Sequence, residues 1–193
     1  LNSTRSTDFI TPKSKTSLTF RNATLALARD HAFARALVNS GRLSVPSYLT
    51  GSRLNTADSA EFTGDMVPGA PMDDAPVRSG GAAGWLLDCI GNAFQALVYV
   101  NDPAAVDAAQ VAVFRELADG PVPVEVVLVS PKGGAALGGL RVLEDYAGRF
   151  AERYDARAGT VYLMRPDQHV AGRWRAFDAT RVRAALARAT CNA

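Results

Sequence analysis

The sequence predicts an α/β fold: a mixed sheet with helices on both faces, preceded by a helical segment and a Pro/Gly-rich connector. Three observations carry this. Two predominantly apolar runs, Phe94–Val100 and Val122–Val129, flank a stretch of helical period. A third run, Thr160–Met164, meets a short polar turn and returns as His169–Arg175 before a final amphipathic stretch. Between residues 42 and 84, by contrast, there is little periodicity and many breakers.

In chain order, Thr11-Pro12 reads as a helix start, with Thr11 as N-cap and Pro12 at the first helical position, where its missing N–H costs nothing. From Ser14 to Arg29 the apolar residues fall on two faces: Leu18, Leu25 and Ala28 on one, Phe20, Ala23 and Leu27 on the other. A short helix covered on both sides lies between other elements. Asp30 is placed to cap a second helix over His31–Val38, closed by Asn39-Ser40-Gly41. The connector alternates Pro46, Pro68, Pro71 and Pro76 with Gly51, Gly64, Gly69, Gly80, Gly81 and Gly84. Such a stretch crosses a domain boundary, expected between Met66 and Pro71, so residues 1–66 form one part and 67–193 the other.

Beyond it, Trp85–Ile90 is expected as a short helix and FQALVYV as a buried strand. Asp102-Pro103 opens a helix to Ala118, with Val106, Ala109, Val113 and Leu117 on one stripe. VPVEVVLV is a second buried strand, bounded by Gly120-Pro121 and Ser130-Pro131. A Gly-rich loop, Lys132–Gly139, then leads to a helix expected over Leu140–Tyr154. Arg165-Pro166-Asp167-Gln168 is a turn with Pro preset for it, and Asp178 caps a last helix with Val182, Ala185, Leu186 and Ala189 inward. A βαβ unit followed by a ββα unit is the thioredoxin-like order.

The 193 residues are 48% hydrophobic and 21% charged, enough for a real core. No apolar run approaches the ~20 residues of a membrane span. Residues 1–66 carry 8 basic and 5 acidic groups and residues 67–193 carry 13 and 14, so neither part has the excess of a nucleic-acid footprint. Cys89 and Cys191 form no CxxC; with no leader at the front they point to reduced thiols in a cytoplasm. The chain begins at Leu1 without an initiator Met, as expected of a fragment or a processed product.

Few residues carry chemistry. A redox role needs a thiolate with a lowered pKa and a resolving partner; Cys89, in LLDCIGN, reads as a small buried apolar residue, and Cys191 lies at the terminus. The loop Lys132–Gly139 follows a strand and precedes an expected helix, the correct place for phosphate, yet it lacks GxGxxG and a following Lys-Ser/Thr. His31 and His169 are the only histidines, without a metal-ligand pattern, and no GxSxG elbow holds a serine. Arg173, Arg175, Arg181, Arg183 and Arg188 read as a solvated face. One constellation stands out: Arg165, Pro166, Asp167 and His169, then Arg173. Arg165 and His169 flank the hairpin turn and Asp167 is placed to bond its own backbone. The structural reading is a rigid hairpin holding an ion pair; the functional one is a contact site for another domain or subunit.

Those residues carry a family resemblance. GTVYLMRPDQHVAGRW (Gly159–Trp174) resembles the signature near the C-terminus of FAD-dependent aromatic-ring hydroxylases, the class A flavoprotein monooxygenases. Val67–Pro71 with Asp74-Ala75-Pro76 resembles the start of their thioredoxin-like C-terminal domain, and Gly84–Leu87 its first block. Asp145, Gly148, Arg153 and Tyr154 fit the lead into the RPD hairpin. Asn39–Ser44 with Leu54-Asn55-Thr56 is similar to the end of the catalytic part in the phenylpropionate and polyketide hydroxylase branch. The resemblance implies a parent enzyme using FAD and NAD(P)H to hydroxylate aromatic substrates, of bacterial type. Its Rossmann GxGxxG, DG and GD motifs have no counterpart here, so no catalytic, cofactor-binding or metal position falls in this chain, and no bound cofactor is expected. The implied partners are an N-terminal FAD-binding domain of the same polypeptide and a second copy in a homo-dimer, with no nucleic acid and no membrane. The uncovered helical segment is expected to self-associate through Phe20, Leu27 and Phe33. The alternative is an autonomous thioredoxin- or peroxiredoxin-like redox or interaction domain using Cys89.

Overall fold

The structure is a computed structural model that describes residues 7–38 and 46–192. It divides into two compact units, Leu1–Pro46 and Ser47–Ala193. In the first, residues 7–10 are helical and the chain breaks before helix α1, Lys15–Asp30. The N-cap is Ser14, not Thr11: the Ser14 hydroxyl accepts the Ser17 N–H at 3.1 Å, so the helix starts three residues after the expected point. The helix runs through Asp30, and extended His31 (φ −122°, ψ 125°) separates it from α2, Ala32–Val38. Arg35 of α2 reaches back to the carbonyls of Ala28 and Arg29, both at 2.9 Å, placing a cation on the free acceptors of the α1 C-terminus. The expected closure at Asn39-Ser40-Gly41 lies outside the described residues. Phe20, Leu27 and Phe33 are exposed, at 62%, 45% and 64%.

The second unit is a seven-stranded mixed sheet. Strands β1 (Pro76–Ser79) and β2 (Ala82–Trp85) form a hairpin, followed by the short helix α3 (Leu86–Cys89) and strand β3 (Phe94–Tyr99). A 3₁₀ turn over Pro103–Ala105 and helix α4 (Ala108–Ala118) lead to β4 (Val124–Ser130) and β5 (Arg141–Glu144). Helix α5 (Arg149–Arg153), β6 (Val161–Met164), β7 (Val170–Trp174) and helix α6 (Ala179–Ala189) complete the chain. The sheet order is β2-β1-β5-β4-β3-β6-β7, with β3–β4 and β4–β5 parallel and every other pair antiparallel.

Strand alternation divides the core in two. Phe94, Ala96 and Val98 of β3 pack with Phe114 and Leu117 of α4 and Val182 and Ala185 of α6. Leu97 and Tyr99 face the other side, with Leu86, Phe150, Tyr154 and the connector's Met66, Ala70 and Met72. Helices therefore cover both faces, as the thioredoxin-like order requires.

In this unit three expectations fail, each for a local reason. Residues 140–154 are not one helix: Val142 and Leu143 are both buried, one on each face of β5, and the helical spacing of Leu140, Leu143, Ala147, Ala151 and Tyr154 is accidental. Gly148, at φ +65°, then turns the chain, and the buried Asp145 carboxylate accepts the N–H groups of Phe150 (3.0 Å) and Ala151 (2.9 Å) to start α5. The expected helix from Asp102 is two pieces. Asp102 caps the 3₁₀ turn, and Asp107 makes a capping box with Gln110 that begins α4 afresh. The connector is not all irregular: Gly80 and Gly81 (φ +57° and +86°) form the two-residue turn of the β1–β2 hairpin, which a branched side chain could not adopt.

Candidate functional site

The RPD turn joins β6 to β7. Pro166 presets the turn, the Gln168 N–H donates to the Arg165 carbonyl at 2.9 Å, and Gln168 sits at φ +61°. The Asp167 carboxylate accepts from Arg165 Nη2 at 2.6 Å and from the His169 N–H at 3.3 Å. The hairpin thus holds the ion pair expected of it. His169 bridges its own loop and the connector: Nδ1 lies 2.9 Å from the Asp167 carbonyl oxygen, and Nε2 lies 3.0 Å from that of Ser47, where the second unit begins.

From Ser47 the connector runs back across this edge as a strap. Thr56 N–H donates to the Ala171 carbonyl (2.7 Å), Gly69 N–H to Val170 (2.7 Å) and Met72 N–H to Gln168 (2.8 Å), while Val170 N–H donates to Ala70 (2.9 Å). The outer edge of β7 is thereby paired at Val170 and Ala171. At Gly69, φ is +90° and a Cβ would stand 2.4 Å from the Leu49 carbonyl oxygen, so only glycine fits the crossing.

Side chains of β7 fasten the strap. Arg173, with its side chain 3% exposed, makes a two-pronged pair with Asp58, Nε–Oδ1 3.0 Å and Nη2–Oδ2 2.7 Å, and Nη1 donates to the Met66 carbonyl at 3.0 Å. Burial alone would lower its pKa, but Asp58 and Tyr162 hold the guanidinium above its ordinary value. Phe62 lies under two guanidiniums, with Arg173 4.3 Å and Arg175 3.6 Å from its ring centre. Arg175 also donates to the Glu61 carbonyl (2.8 Å) and pairs with Asp155, whose carboxylate accepts the Thr63 N–H at 2.8 Å. Burial pushes Asp155 up, yet the Thr63 and Arg175 bonds win and hold it below the usual carboxylate value. On the inner face, Tyr154 OH donates to the Asp73 carbonyl at 2.6 Å and Tyr162 OH to the Tyr154 carbonyl at 2.6 Å.

Of the five motif residues, His169 and Arg173 meet the strap, while Arg165, Pro166 and Asp167 act within the hairpin turn. The sequence reading did not find Asp58, Phe62 or Asp155. Asp58 and Phe62 lie in a stretch without period, and no spacing rule links them to β7 over a separation of more than a hundred residues.

The other candidates remain apart. Cys89 is half-buried; burial pushes its thiol up, only partly offset by Arg141, the opposite of what a reactive thiolate needs. Cys191 is exposed past α6. Among the described residues no His, Cys, Asp and Glu cluster could hold a metal, and no helix is long and apolar enough to cross a membrane. The loop Lys132–Gly139 enters strand β5 instead of a helix, so no fan of amide N–H groups stands over it. Its Lys132 is paired with Asp102 at 2.7 Å, and the Gly138 carbonyl accepts from Arg115 at 2.9 Å. This loop does not fit a dinucleotide phosphate. Beside it a shallow cavity of about 440 Å³ is lined by Arg115, Glu125 and Arg141, and Glu125 and Arg141 are paired with each other.

A model of the HcaD C-terminal domain matches residues 75–189, more than half of the chain. The chain belongs to the HcaD C-terminal domain family. No curated protein matches its sequence. Among solved structures, the flavin-dependent monooxygenase PieE, in complex with FAD and substrate, matches at a TM-score of 0.59 and 22% identity, over 96% of this chain and 32% of that one. Aklavinone-11 hydroxylase, with FAD and aklavinone, matches at 0.53 and 21%, over 88% and 33%. A thiol peroxidase from Chromobacterium violaceum matches at 0.51 and 13%, over 67% and 91%. This HcaD C-terminal domain chain thus spans about a third of the length of the monooxygenase and of the hydroxylase, and its fold is also that of a thiol peroxidase. The resemblance read from Gly159–Trp174 and the thioredoxin-like fold class both stand.

Proposed function

We propose that this chain is the C-terminal part of an FAD-dependent, NAD(P)H-using monooxygenase that hydroxylates aromatic substrates in the bacterial cytoplasm, and that this part is structural. Residues 1–66 are the tail of the FAD- and substrate-binding part with the connector, and 67–193 the C-terminal domain. Its partners are the FAD-binding domain of the same polypeptide and a second copy. The observation that supports this best is the use of the motif: Arg165, Asp167, His169 and Arg173 face the hairpin and the strap. His169 and Arg173 each join two or more partners across the hairpin and the strap, which supports an anchoring role. The exposed Phe20, Leu27 and Phe33 are the face that the FAD-binding domain covers.

The test is flavin retention. After incubation with excess FAD and desalting, the chain is expected to show no visible flavin absorbance, while a version extended upstream to a GxGxxG domain retains it. Flavin held by this chain alone overturns the reading. A redox enzyme built on Cys89 requires a thiol more acidic than usual, and the burial of Cys89 works against that; thiol alkylation rates against pH separate the two.

A further inference from the structure

His169 joins the RPD turn to the first residue of the second unit. Its main chain is fixed: the N–H donates to the Asp167 carboxylate at 3.3 Å, the carbonyl accepts the Arg165 N–H at 2.9 Å, and the residue bridges to Pro71 of the strap. The ring, with its side chain 16% exposed, is therefore presented in one place. There both ring nitrogens face carbonyl oxygens, Nδ1 that of Asp167 at 2.9 Å and Nε2 that of Ser47 at 3.0 Å. A carbonyl oxygen only accepts, whereas a neutral imidazole has one N–H and one lone pair. The neutral ring can serve one of these oxygens and sets its lone pair against the other. The imidazolium serves both.

We propose that His169 is a pH-operated clasp, closed on Ser47 when the ring carries two protons and released from it when the ring is neutral. The surroundings decide which bond is lost. Nδ1 faces the Asp167 carbonyl and also, at 3.4 Å, the Asp167 carboxylate, so two acceptors hold its proton and one of them is charged. Nε2 faces the Ser47 carbonyl. The proton that leaves is that of Nε2, and the bond that goes with it is the strap's. Charge on the ring is governed from its own turn. Asp167 favours the cation, while Arg165, 2.6 Å from the other oxygen of that carboxylate, competes for it. Among the described residues the strap sets no carboxylate within ion-pair distance of the ring; it offers the Ser47 carbonyl.

Ser47 makes no other hydrogen bond among the described residues, so the ring holds the entry of the strap. The next anchor is the Leu49 N–H on the Gly69 carbonyl, at 2.7 Å. Opening the clasp loosens the residues by which the second unit follows on the first. The bonds farther along, from Thr56 and Met72 to β7 and its turn, run from main chain to main chain and stay closed. The clasp needs nothing outside this chain.

Nitrogen NMR of the histidine rings tests this on the unaltered chain. At about pH 5.5 both His169 nitrogens are expected to carry protons, and at about pH 8 only Nδ1, the two values lying either side of the imidazole range. A neutral ring protonated at Nε2 overturns the proposal. Because no variant is involved, this reading decides the matter even where a substitution unfolds the hairpin. Hydrogen exchange, compared at equal pH with His169→Phe, which keeps a ring and removes both donors, gives the second reading. At about pH 5.5 the Leu49 amide is expected to exchange about tenfold faster in the variant, the worth of one charge-assisted bond at a partly exposed site. At about pH 8 the two chains should agree within about twofold, and Thr56 and Met72 should match at both. Asp167→Asn keeps an acceptor for the His169 N–H but removes the charge, and should open the clasp at a lower pH. A Leu49 ratio that is the same at both pH values overturns the switch, and so does an opening midpoint that Asp167→Asn leaves in place.

Discussion

At the β7 edge, the strap over residues 47–72 pairs with the start of the strand, two arginines pin it, and a glycine is required where the strap crosses itself. At the β2 edge a four-residue strand of small side chains and one tryptophan ends the sheet. The first edge is specified by many side chains at once and tolerates little change. The second is specified by what it lacks, and substitutions at its exposed residues have few contacts to remove. Both belong to one cooperative unit, so the same assay can compare them.

The largest effect is expected at Arg173. Replacing it with Met keeps the apolar stem but leaves the Met66 carbonyl without its donor and Asp58 without its partner. Removing one member of a buried ion pair costs about 3–5 kcal/mol; because Asp58 is 31% exposed, water recovers part of this and about 2–3 kcal/mol is expected. Urea unfolding checks it. A loss below about 0.5 kcal/mol would show that the strap is merely resting on β7. Next comes Gly69→Ala, which meets the Leu49 carbonyl and demands φ +90°. A cost of about 1–3 kcal/mol is expected, and hydrogen exchange should quicken at the strap amides of Thr56 and Met72 while β3 and β4 remain protected.

The third prediction concerns acid. Asp155 is held below its usual 3.8 in the folded chain. A depressed carboxylate contributes stability that is fully present above its unfolded value and is lost as pH falls through the folded one. The melting temperature of Asp155→Asn should therefore lie below that of the parent chain at neutral pH. The gap should narrow below about pH 4, as both come to hold a neutral group. A gap that is constant with pH would assign the contribution of Asp155 to packing.

How legible these edges were in the sequence follows from their physics. The buried strands β3, β4, β6 and β7 were read nearly to the residue, because continuous apolar runs bounded by Gly and Pro have few other uses. The RPD turn was equally plain: Pro166 and Asp167 act within their own four residues. β5 was misread because Leu140, Leu143, Ala147, Ala151 and Tyr154 satisfy a helical period by accident, and only the pairing with β1 and β4 decides between the two. The strap could not be read at all. Asp58 and Phe62 gain meaning only when β7 is beside them, and a stretch without period carries no local signal of what it will pair with. The β1–β2 hairpin was available: Gly80-Gly81 is a turn signal, obscured here by the glycines and prolines around it.

The smallest effect on folding, and the one that separates the edges most sharply, is expected for Trp85→Ala. Half of Trp85 faces water, so the substitution should change stability by less than about 1 kcal/mol, in contrast to Arg173. Urea unfolding of the two variants side by side checks this. A loss at Trp85 as large as that at Arg173 would mean that the β2 edge is fastened as firmly as the strap, and the contrast between the edges would then be one of appearance alone.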